Sequence, residues 1–292
     1  MHSFLRAIGF SNIDKRSDLN SLFDKIIEKS ENVRTTEHNN RKVLISHMCK
    51  EFAEGLGIAL YGELDKNNVF HLEYYYPYAV SYHSSVKEQV HFNKRVDTDA
   101  YTGMCDDYRL GVSLVFYLQN VLDYMETINI RKNTSLAVRL SALSNEGRVI
   151  LPLEKTESQV KNLSADRKYR NNLIAEARKG NQEAIDNLTF DDIDTYAMVT
   201  RRAKKEDVYS IVDTFFIPFG SESDNYTIMG TILNYSIVEN YITKEEIYDM
   251  DIMCNDIVLR VCINKEDLLG EPAIGRRFKG NIWLQGNVDF EL

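Results

Sequence analysis

A short stretch of the chain carries two histidines and four aspartates, the residue types that acid–base and metal chemistry require. These residues are His83, His91, Asp97, Asp99, Asp106 and Asp107. Imidazole and carboxylate side chains act as general acids and bases, and both bind divalent metals. Asp97 and Asp99 begin like a calcium-binding EF-hand loop, but Tyr108 stands where the closing glutamate belongs, so that match fails. The stretch supports a metal-dependent enzyme as one hypothesis, and ordinary solvent-exposed side chains are the simpler explanation.

The single tryptophan, Trp283, defines a second candidate site. In a regular strand over 278–290, the apolar side chains share one face and Trp283 lies on the other, among polar residues. The basic residues nearest to it in the sequence are Arg276, Arg277 and Lys279. An indole exposed beside positive charges can stack a planar ligand, so these four residues are the predicted ligand-binding site. In the alternatives, Trp283 packs against the N-terminal part of the chain, or a bulge at Gly280 or Gly286 turns it inward.

Other motifs that carry chemistry are missing from the sequence. Gly55-Leu56-Gly57 starts like a dinucleotide-binding loop, but Leu60 replaces the third glycine and the segment runs into a strand pattern. His47-Met48-Cys49 supplies half of a zinc site without a second pair at zinc spacing. No phosphate-binding loop, nucleophile elbow or zinc-protease motif occurs. The sequence therefore predicts no cofactor and no metal site.

The size and composition are typical of a globular protein with about two domains. The 292 residues contain no apolar run long enough to span a membrane, and the first residues lack the features of a signal peptide. The four cysteines are scattered without a CxxC pair, and we expect them to be reduced: Cys49, Cys105, Cys254 and Cys262. These features predict a cytoplasmic protein that does not bind membranes.

The net charge of −9 is unevenly distributed along the chain. Residues 206–292 carry six Lys/Arg against sixteen Asp/Glu, whereas residues 155–205 carry eleven against eight. Nucleic-acid binding is driven by concentrated positive charge. The acidic C-terminal region therefore argues against a nucleic-acid partner, and we expect a protein or a small ligand instead.

The N-terminal part mixes helix and strand patterns. Apolar residues recur at helical spacing after Ser17, a suitable N-cap, at Leu19, Leu22, Phe23, Ile26 and Ile27. Strands are predicted over 58–61, 69–76 and 113–117, whereas 118–128 fits a strand or a helix. Residues 135–153 predict a hairpin that turns at Ser144-Asn145-Glu146-Gly147. Hairpins rather than alternating strands and helices predict an antiparallel sheet.

The remainder divides into a helical part and a strand-rich part. One helix is predicted to end at Gly180, a short one to run from Asn181 through Leu188, and a third to begin at Thr189 and end in the basic run 201–205. After them, alternation predicts strands over 208–216, 226–238, 247–253, 257–263 and 278–290, with one helical turn at 264–269.

These elements predict an α+β fold in three domains. Residues 1–155 form an α+β domain with an antiparallel sheet, 156–206 a basic helical connector, and 207–292 a small acidic β-barrel. The order of strands and the helical turn in 207–292 suit a five-stranded barrel of the OB type. A split barrel, or a sheet shared with the N-terminal part, predicts much the same pattern.

Three stretches of the sequence resemble a known family. They are residues 1–10, residues 207–220, and residues 254–286 with Leu268-Leu269-Gly270-Glu271-Pro272 and Gly275-Arg276-Arg277-Phe278-Lys279-Gly280. The chain resembles, over its full length, a family of uncharacterised proteins from clostridial-type Gram-positive bacteria, a domain of unknown function. The resemblance implies a bacterial cytoplasmic setting and transfers no catalytic or binding residue.

The leading hypothesis is a non-catalytic binding or interaction protein with an OB-like C-terminal module. It follows from the lack of an assembled catalytic or metal motif together with a fold class that commonly binds extended ligands. The alternative is a metal-dependent enzyme of unfamiliar type that uses His83, His91 and the region Asp97 to Asp107.

Overall fold

The computed structural model describes residues 2–13, 15–29, 32–37, 44–96, 98–107, 109–110, 112–127, 135–153 and 157–290. The chain divides into two compact units. The first combines Met1–Ile150 with Phe216–Leu292, and the second is Leu151–Phe215. Of the helices that are described, none is both long and apolar enough to cross a membrane.

The first unit consists mainly of consecutive strands with a few helices, and the second unit is mainly helical. The α-helices are α1 Arg16–Glu28, α2 Val121–Thr127, α3 Glu157–Arg178, α4 Gln182–Arg202 and α5 Val208–Ile211, and 3-10 helices span Ser3–Ile8 and Lys265–Asp267. The first nine strands are β1 Asn32–Glu37, β2 Leu44–Ala53, β3 Leu56–Leu64, β4 Phe70–Ala79, β5 Val86–Gln89, β6 His91–Lys94, β7 Tyr101–Asp107, β8 Val112–Leu118 and β9 Ser135–Ile150. The last six are β10 Phe215–Pro218, β11 Asn225–Glu239, β12 Glu246–Cys254, β13 Ile257–Asn264, β14 Leu268–Leu269 and β15 Arg277–Asp289.

The fold is α+β with mostly antiparallel sheets, as the sequence predicts. Strands β1 to β4 form a four-stranded antiparallel sheet in chain order. The predicted amphipathic helix is α1, and its apolar stripe is buried except for Ile27. The prediction that Ser17 caps α1 is wrong, because the helix begins at Arg16 after Lys15, and the Ser17 hydroxyl donates to Asp18.

In the second sheet, five strands pair in a closed ring. Strand β11 pairs with β12, β12 with β13, and β13 with β9, and β9 pairs with β15, which returns to β11. Only the β13–β9 pair in this ring is parallel. Four ring strands come from residues 225–289, and the fifth, β9, comes from the N-terminal half of the chain. The second sheet thus contains strands from both predicted end domains. The predicted domain boundaries at 155 and 206 remain a prediction.

The predicted hairpin over 135–153 is wrong, because β9 is one continuous strand. A bulge accommodates the sequence that resembles a turn. Opposite β15, Asn281 pairs with Glu146 and Ile282 with Ser144, so that Asn145 is an extra residue. The Ser144 hydroxyl bonds the carbonyls of Glu146 and Asn281, and these local bonds stabilise the bulge rather than a turn.

The second unit contains α3 and α4, which pack through a small apolar cluster. Helix α3 ends before Gly180, whose φ of +83° suits a residue without a side chain. The Asn181 side chain caps α4 by accepting from Ala184 N, as predicted. The predicted break at Thr189 is wrong, because α4 continues to Arg202 and the Thr189 hydroxyl bonds the Ile185 carbonyl instead.

In the C-terminal part, four of the five predicted strands and the helical turn are present. The predicted strand over 208–216 is wrong, because Val208–Ile211 is a short helix and pairing begins only at Phe215. The Asp207 side chain accepts from Tyr209 N at 3.0 Å, which is the local bond of a helix start. A capping interaction therefore outweighs the β-branched residues of this segment.

The ring strands of the first unit have a core on each face. The face inside the ring buries alternate residues such as Phe278, Ile282 and Leu284. The other face belongs to a second core that also contains the 3-10 helix Ser3–Ile8, α1 and the four-stranded sheet. On the predicted polar outer face of β15, Trp283 and Gln285 are therefore buried, whereas Lys279, Asn281, Asn287 and Asp289 are half-buried.

Candidate functional site

A cavity of about 440 Å³ lies in the first unit, beside Trp283. Its walls include six aromatic side chains besides His2: Phe4, Tyr74, Tyr75, Tyr76, Tyr117 and Trp283. Its polar lining includes Arg95, Glu222 and Asp224. The volume is in the range of small-ligand sites, and an apolar wall with a few polar groups is their usual composition.

The alternation of β15 directs Trp283 into this cavity wall. Neighbouring side chains of a strand point to opposite faces, so Trp283 lies away from the core inside the ring, as predicted. It is not exposed, however: only 4% of its surface is accessible. Its ring centroid lies 4.6 Å from that of His2, 5.1 Å from Tyr117 and 5.6 Å from Phe4. The structure therefore shows the alternative in which Trp283 packs against the N-terminal part of the chain.

Asp224 fixes the position of the indole. Trp283 Nε1 donates to Asp224 Oδ2 at 3.0 Å, and the backbone N of Leu284 donates to the Asp224 carbonyl at 2.9 Å. The same carboxylate oxygen accepts from Arg95 Nη1 at 3.0 Å. Arg95 Nη2 donates to Glu222 Oε2 at 2.6 Å. One guanidinium thus connects two carboxylates, and one of these holds the tryptophan.

Three tyrosines form a neutral wall of the cavity. Burial raises the pKa of Tyr74, Tyr76 and Tyr117 well above the usual value, so all three are protonated phenols at neutral pH. The Tyr76 hydroxyl donates to the carbonyl of Gln119, and the Tyr76 and Tyr117 rings lie 4.7 Å apart. Tyr74 and Tyr76 lie on β4, and Tyr117 lies on β8.

Two half-buried histidines contact tyrosines of β4: His2 N donates to the Tyr75 hydroxyl at 2.8 Å, and His47 lies beside Tyr76. Burial chiefly lowers the pKa of His2 to about 4, and burial with the nearby charge of Arg34 lowers that of His47 to about 4. His47 Nε2 lies 2.9 Å from the Tyr76 hydroxyl, which itself donates to Gln119, so we assign the proton between the two to His47. Both rings are uncharged at pH 7.

The His47→Gln substitution should flatten the acid limb of the stability profile. The pKa of His47 is lower in the folded state than the unfolded value of 6.5, so stability is full above pH 6.5 and falls as the pH drops towards 4. The expected loss from this one group is about 3 kcal/mol. Urea unfolding at several pH values measures it, with His71→Gln at an exposed histidine as the control. An unchanged slope in His47→Gln would contradict the assignment.

The structure places the predicted basic residues apart from the cavity lining. Arg276 Nη1 donates to the Glu271 carbonyl at 2.7 Å. Arg277 is buried, with Nη1 3.9 Å from the sulfur of Met229. Lys279 is half-buried on the same strand. Ligand binding by these three residues remains a prediction, and only Trp283 of the predicted set lines the cavity.

The described histidines and aspartates of the alternative site contact different partners. His83 Nε2 lies 3.9 Å from Asp251 Oδ2, and Asp107 pairs with Arg109 at 2.6 Å. Asp99 pairs with Lys94, and Asp106 accepts from the Ser113 hydroxyl. His91 begins β6, and Asp97 lies outside the described residues. Within the described ranges, no three His, Cys, Asp or Glu side chains are placed to hold one metal ion.

A smaller cavity of about 190 Å³ lies near His83. Its lining includes Asp249, Asp251 and Arg260 on the outward faces of β12 and β13. Burial raises the pKa of Asp251. Arg260 forms a two-pronged pair with Asp249, so the charge of this one carboxylate is neutralised.

Sequence reasoning missed most of the polar residues of the larger cavity. Arg95, Glu222 and Asp224 stand in loops without a recognisable motif. One signal was available, because a buried Trp N–H needs an acceptor. The strand that pairs with β15 brings Asn225 opposite Trp283, so an acidic residue at the start of that strand was a candidate acceptor.

The fold and the cavity together define an α+β protein with an aromatic-lined pocket. The model of a family described as "Domain of unknown function, E. rectale Gene description (DUF3881)" matches residues 5–286, and the chain belongs to this family. The predicted resemblance to an uncharacterised family is thereby confirmed. Neither the curated proteins nor the solved structures contain a match to the chain.

Proposed function

We propose that this is a non-catalytic binding protein and that its ligand is a planar ring held in the cavity beside Trp283. The observation that carries the proposal is the convergence of six aromatic side chains on one pocket with a fixed hydrogen-bonding group at its edge. Aromatic faces stack planar ligands with little dependence on the ring's identity. The polar groups around Asp224 supply orientation.

The charge of the pocket favours an uncharged ring over a phosphorylated one. Arg95 bears one positive charge, whereas Glu222 and Asp224 bear two negative charges, and His2 is neutral because burial lowers its pKa to about 4. A phosphate would meet a net negative site and would have to break the Arg95 pairs. A heterocycle of nucleobase size without a phosphate can stack on the aromatic side chains and avoids repulsion from the two carboxylates.

We propose further that the closed ring of β9, β11, β12, β13 and β15 is a small barrel of the OB type. Its support is the continuous cycle of pairings, together with the 3-10 turn between β13 and the last strand. In this proposal the fifth strand of the barrel is borrowed from the N-terminal half. The pocket then lies on the outside of the barrel, at β15.

A cytoplasmic setting is part of the proposal. All four cysteines are free, and three of them are buried. Burial raises the pKa of the Cys105 thiol to about 12, so this thiol is protonated and unreactive at neutral pH. Free thiols in this number suit a reducing compartment.

Adenosine should quench the emission of Trp283 saturably, because its base enters the aromatic-lined cavity beside the indole. AMP should bind at least about tenfold more weakly, since its phosphate meets the net negative pocket. Fluorescence titration of the full chain measures both, and calorimetry confirms the stoichiometry. Tyr75→Ala, at a half-buried cavity residue, should weaken adenosine binding by about 1 to 2 kcal/mol.

The matched control is Tyr241→Ala, at an exposed tyrosine outside the cavity lining. It should leave adenosine binding unchanged. If a panel of uncharged heterocycles gives neither quenching nor heat, the planar-ligand proposal is rejected. If tetramethylammonium binds saturably and no heterocycle binds, the proposed ligand class changes from a planar ring to an organic cation. The faces of electron-rich aromatic rings also attract such cations.

A further inference from the structure

Among the described residues, no strand pairs with one edge of the second half of β11; strand β10 pairs with β11 near its start, where Phe219 N donates to the Asn225 carbonyl. Strand β15 pairs with β11 from Asn225 to Thr231, and the backbone of Arg276 and Gly275 bonds Ile232 beyond it. From Asn234 to Glu239, the pairings among the described residues join β11 to β12 alone. Because β15 and β12 lie on opposite edges of a ring strand, the edge that β15 vacates is open after Ile232.

This open edge lacks the usual protection against pairing. Residues 233–238 are Leu-Asn-Tyr-Ser-Ile-Val, without a charge, a proline or a glycine. Leu233, Tyr235 and Ile237 expose 36%, 38% and 47% of their surfaces. The bulge at Leu233 precedes the stretch, and the register is regular from Asn234 onward. Native proteins block such edges with charges, prolines or a covering element, because an open apolar edge recruits another strand.

The charges at the two ends of this edge point to a second copy as the partner. Two copies of one strand pair antiparallel about a two-fold axis. A pair centred on Ser236 brings Glu239 of one copy to Leu233 of the other, beside Arg276, whose carbonyl bonds Ile232. Lys244 pairs with Glu239 of its own copy at 2.9 Å. In the paired arrangement it approaches Glu271 of the other copy, which lies beside Arg276 of that copy. Opposite charges meet at both ends, and the uncharged residues meet in the middle.

We propose that the protein forms a homodimer in which the open edges of β11 pair antiparallel and join the two strand rings into one continuous sheet. Tyr235 and Ile237 of both copies lie on the same face of this joined sheet, since they share the side of their β12 partners Met250 and Tyr248. The dimer interface is independent of the ligand cavity, because none of these residues lines it.

Sedimentation equilibrium of the full chain should give twice the monomer mass of 33.8 kDa. Ile237→Lys should raise the dimer dissociation constant by more than about 100-fold, because it places two lysines on the same face of the joined sheet, each one residue from the axis at Ser236. Emission from Trp283 shows whether that variant is folded. The control Tyr196→Lys, at an exposed tyrosine of α4, should leave the dimer intact.

The end charges provide a second test. Glu239→Arg should weaken the dimer by about tenfold, and adding Arg276→Glu should restore most of the loss. A monomer at every concentration would overturn the proposal and leave a strand from another protein as the occupant. A dimer that tolerates Ile237→Lys would place the interface elsewhere and would equally overturn it.

Discussion

Asp224→Ala should destabilise the protein by about 3 kcal/mol. The Asp224 carboxylate is 1% exposed and accepts from both Trp283 Nε1 and Arg95 Nη1. Alanine leaves the indole N–H without its acceptor and removes one of the two acids that neutralise Arg95. Removing one partner of a buried pair costs about 3 to 5 kcal/mol. Because Arg95 keeps its pair with the exposed Glu222, we expect a loss at the lower end of this range. Urea unfolding followed by Trp283 emission measures the change.

The conservative variant separates the charge of Asp224 from its hydrogen bond. Asp224→Asn keeps an oxygen for the indole but loses the charge that faces Arg95, so it should cost about half as much as alanine. The emission of folded Asp224→Ala should also shift to longer wavelength, because the indole is freed. A loss below about 1 kcal/mol with unchanged emission would show that the network does not stabilise the fold.

Periodicity made part of the secondary structure predictable. The helix α1 and the strands β3, β4, β8, β11, β12, β13 and β15 follow from local patterns, whereas β1, β2, β5, β6 and β7 were not predicted. Two of the wrong predictions occur where side-chain hydrogen bonds, rather than the periodicity of apolar residues, determine the local structure. Ser144 stabilises a bulge in place of a turn, and Asp207 starts a helix in a segment with strand propensity.

The partner of a strand is harder to predict than the strand itself. Local patterns assign the four strands of residues 225–289, but they do not show that β9, far earlier in the chain, pairs with both β13 and β15. Pairing over such a sequence separation leaves no periodic signal. The choice between a self-contained C-terminal module and a shared sheet was therefore open from the sequence alone.

The same limit applies to the candidate site. The alternation of β15 correctly separates Trp283 from Phe278 and Ile282. The sequence does not show that residues 2–4 cover that outer face, so the exposed and the packed positions of Trp283 stayed open as alternatives. Arg95 and Asp224 meet across more than a hundred residues, and neither belongs to a motif. A cavity built from such distant contacts can be read only from the folded chain.

Arg260→Ala should destabilise the protein by about 4 kcal/mol, more than the other single substitutions proposed above. Arg260 is 5% exposed, and its Nε and Nη2 each donate to Asp249 at 2.8 Å. The same guanidinium donates to the carbonyls of Val80 at 2.6 Å and Glu54 at 2.9 Å. It thereby joins the strand ring to the loops that follow β2 and β4. Alanine leaves a half-buried carboxylate and two carbonyls without these donors, and urea unfolding measures the loss.

Two further variants distinguish the charge of Arg260 from its shape. Arg260→Lys retains the charge, but a single ammonium cannot serve a carboxylate and separate carbonyls at once, so we expect about 2 kcal/mol of destabilisation. Arg260→Leu combined with Asp249→Leu removes both charges and should be more stable than Arg260→Leu alone, because no carboxylate is left unpaired. If the double variant is no more stable than the single one, the guanidinium acts mainly through the backbone carbonyls, and its role is to hold the two loops rather than to neutralise Asp249.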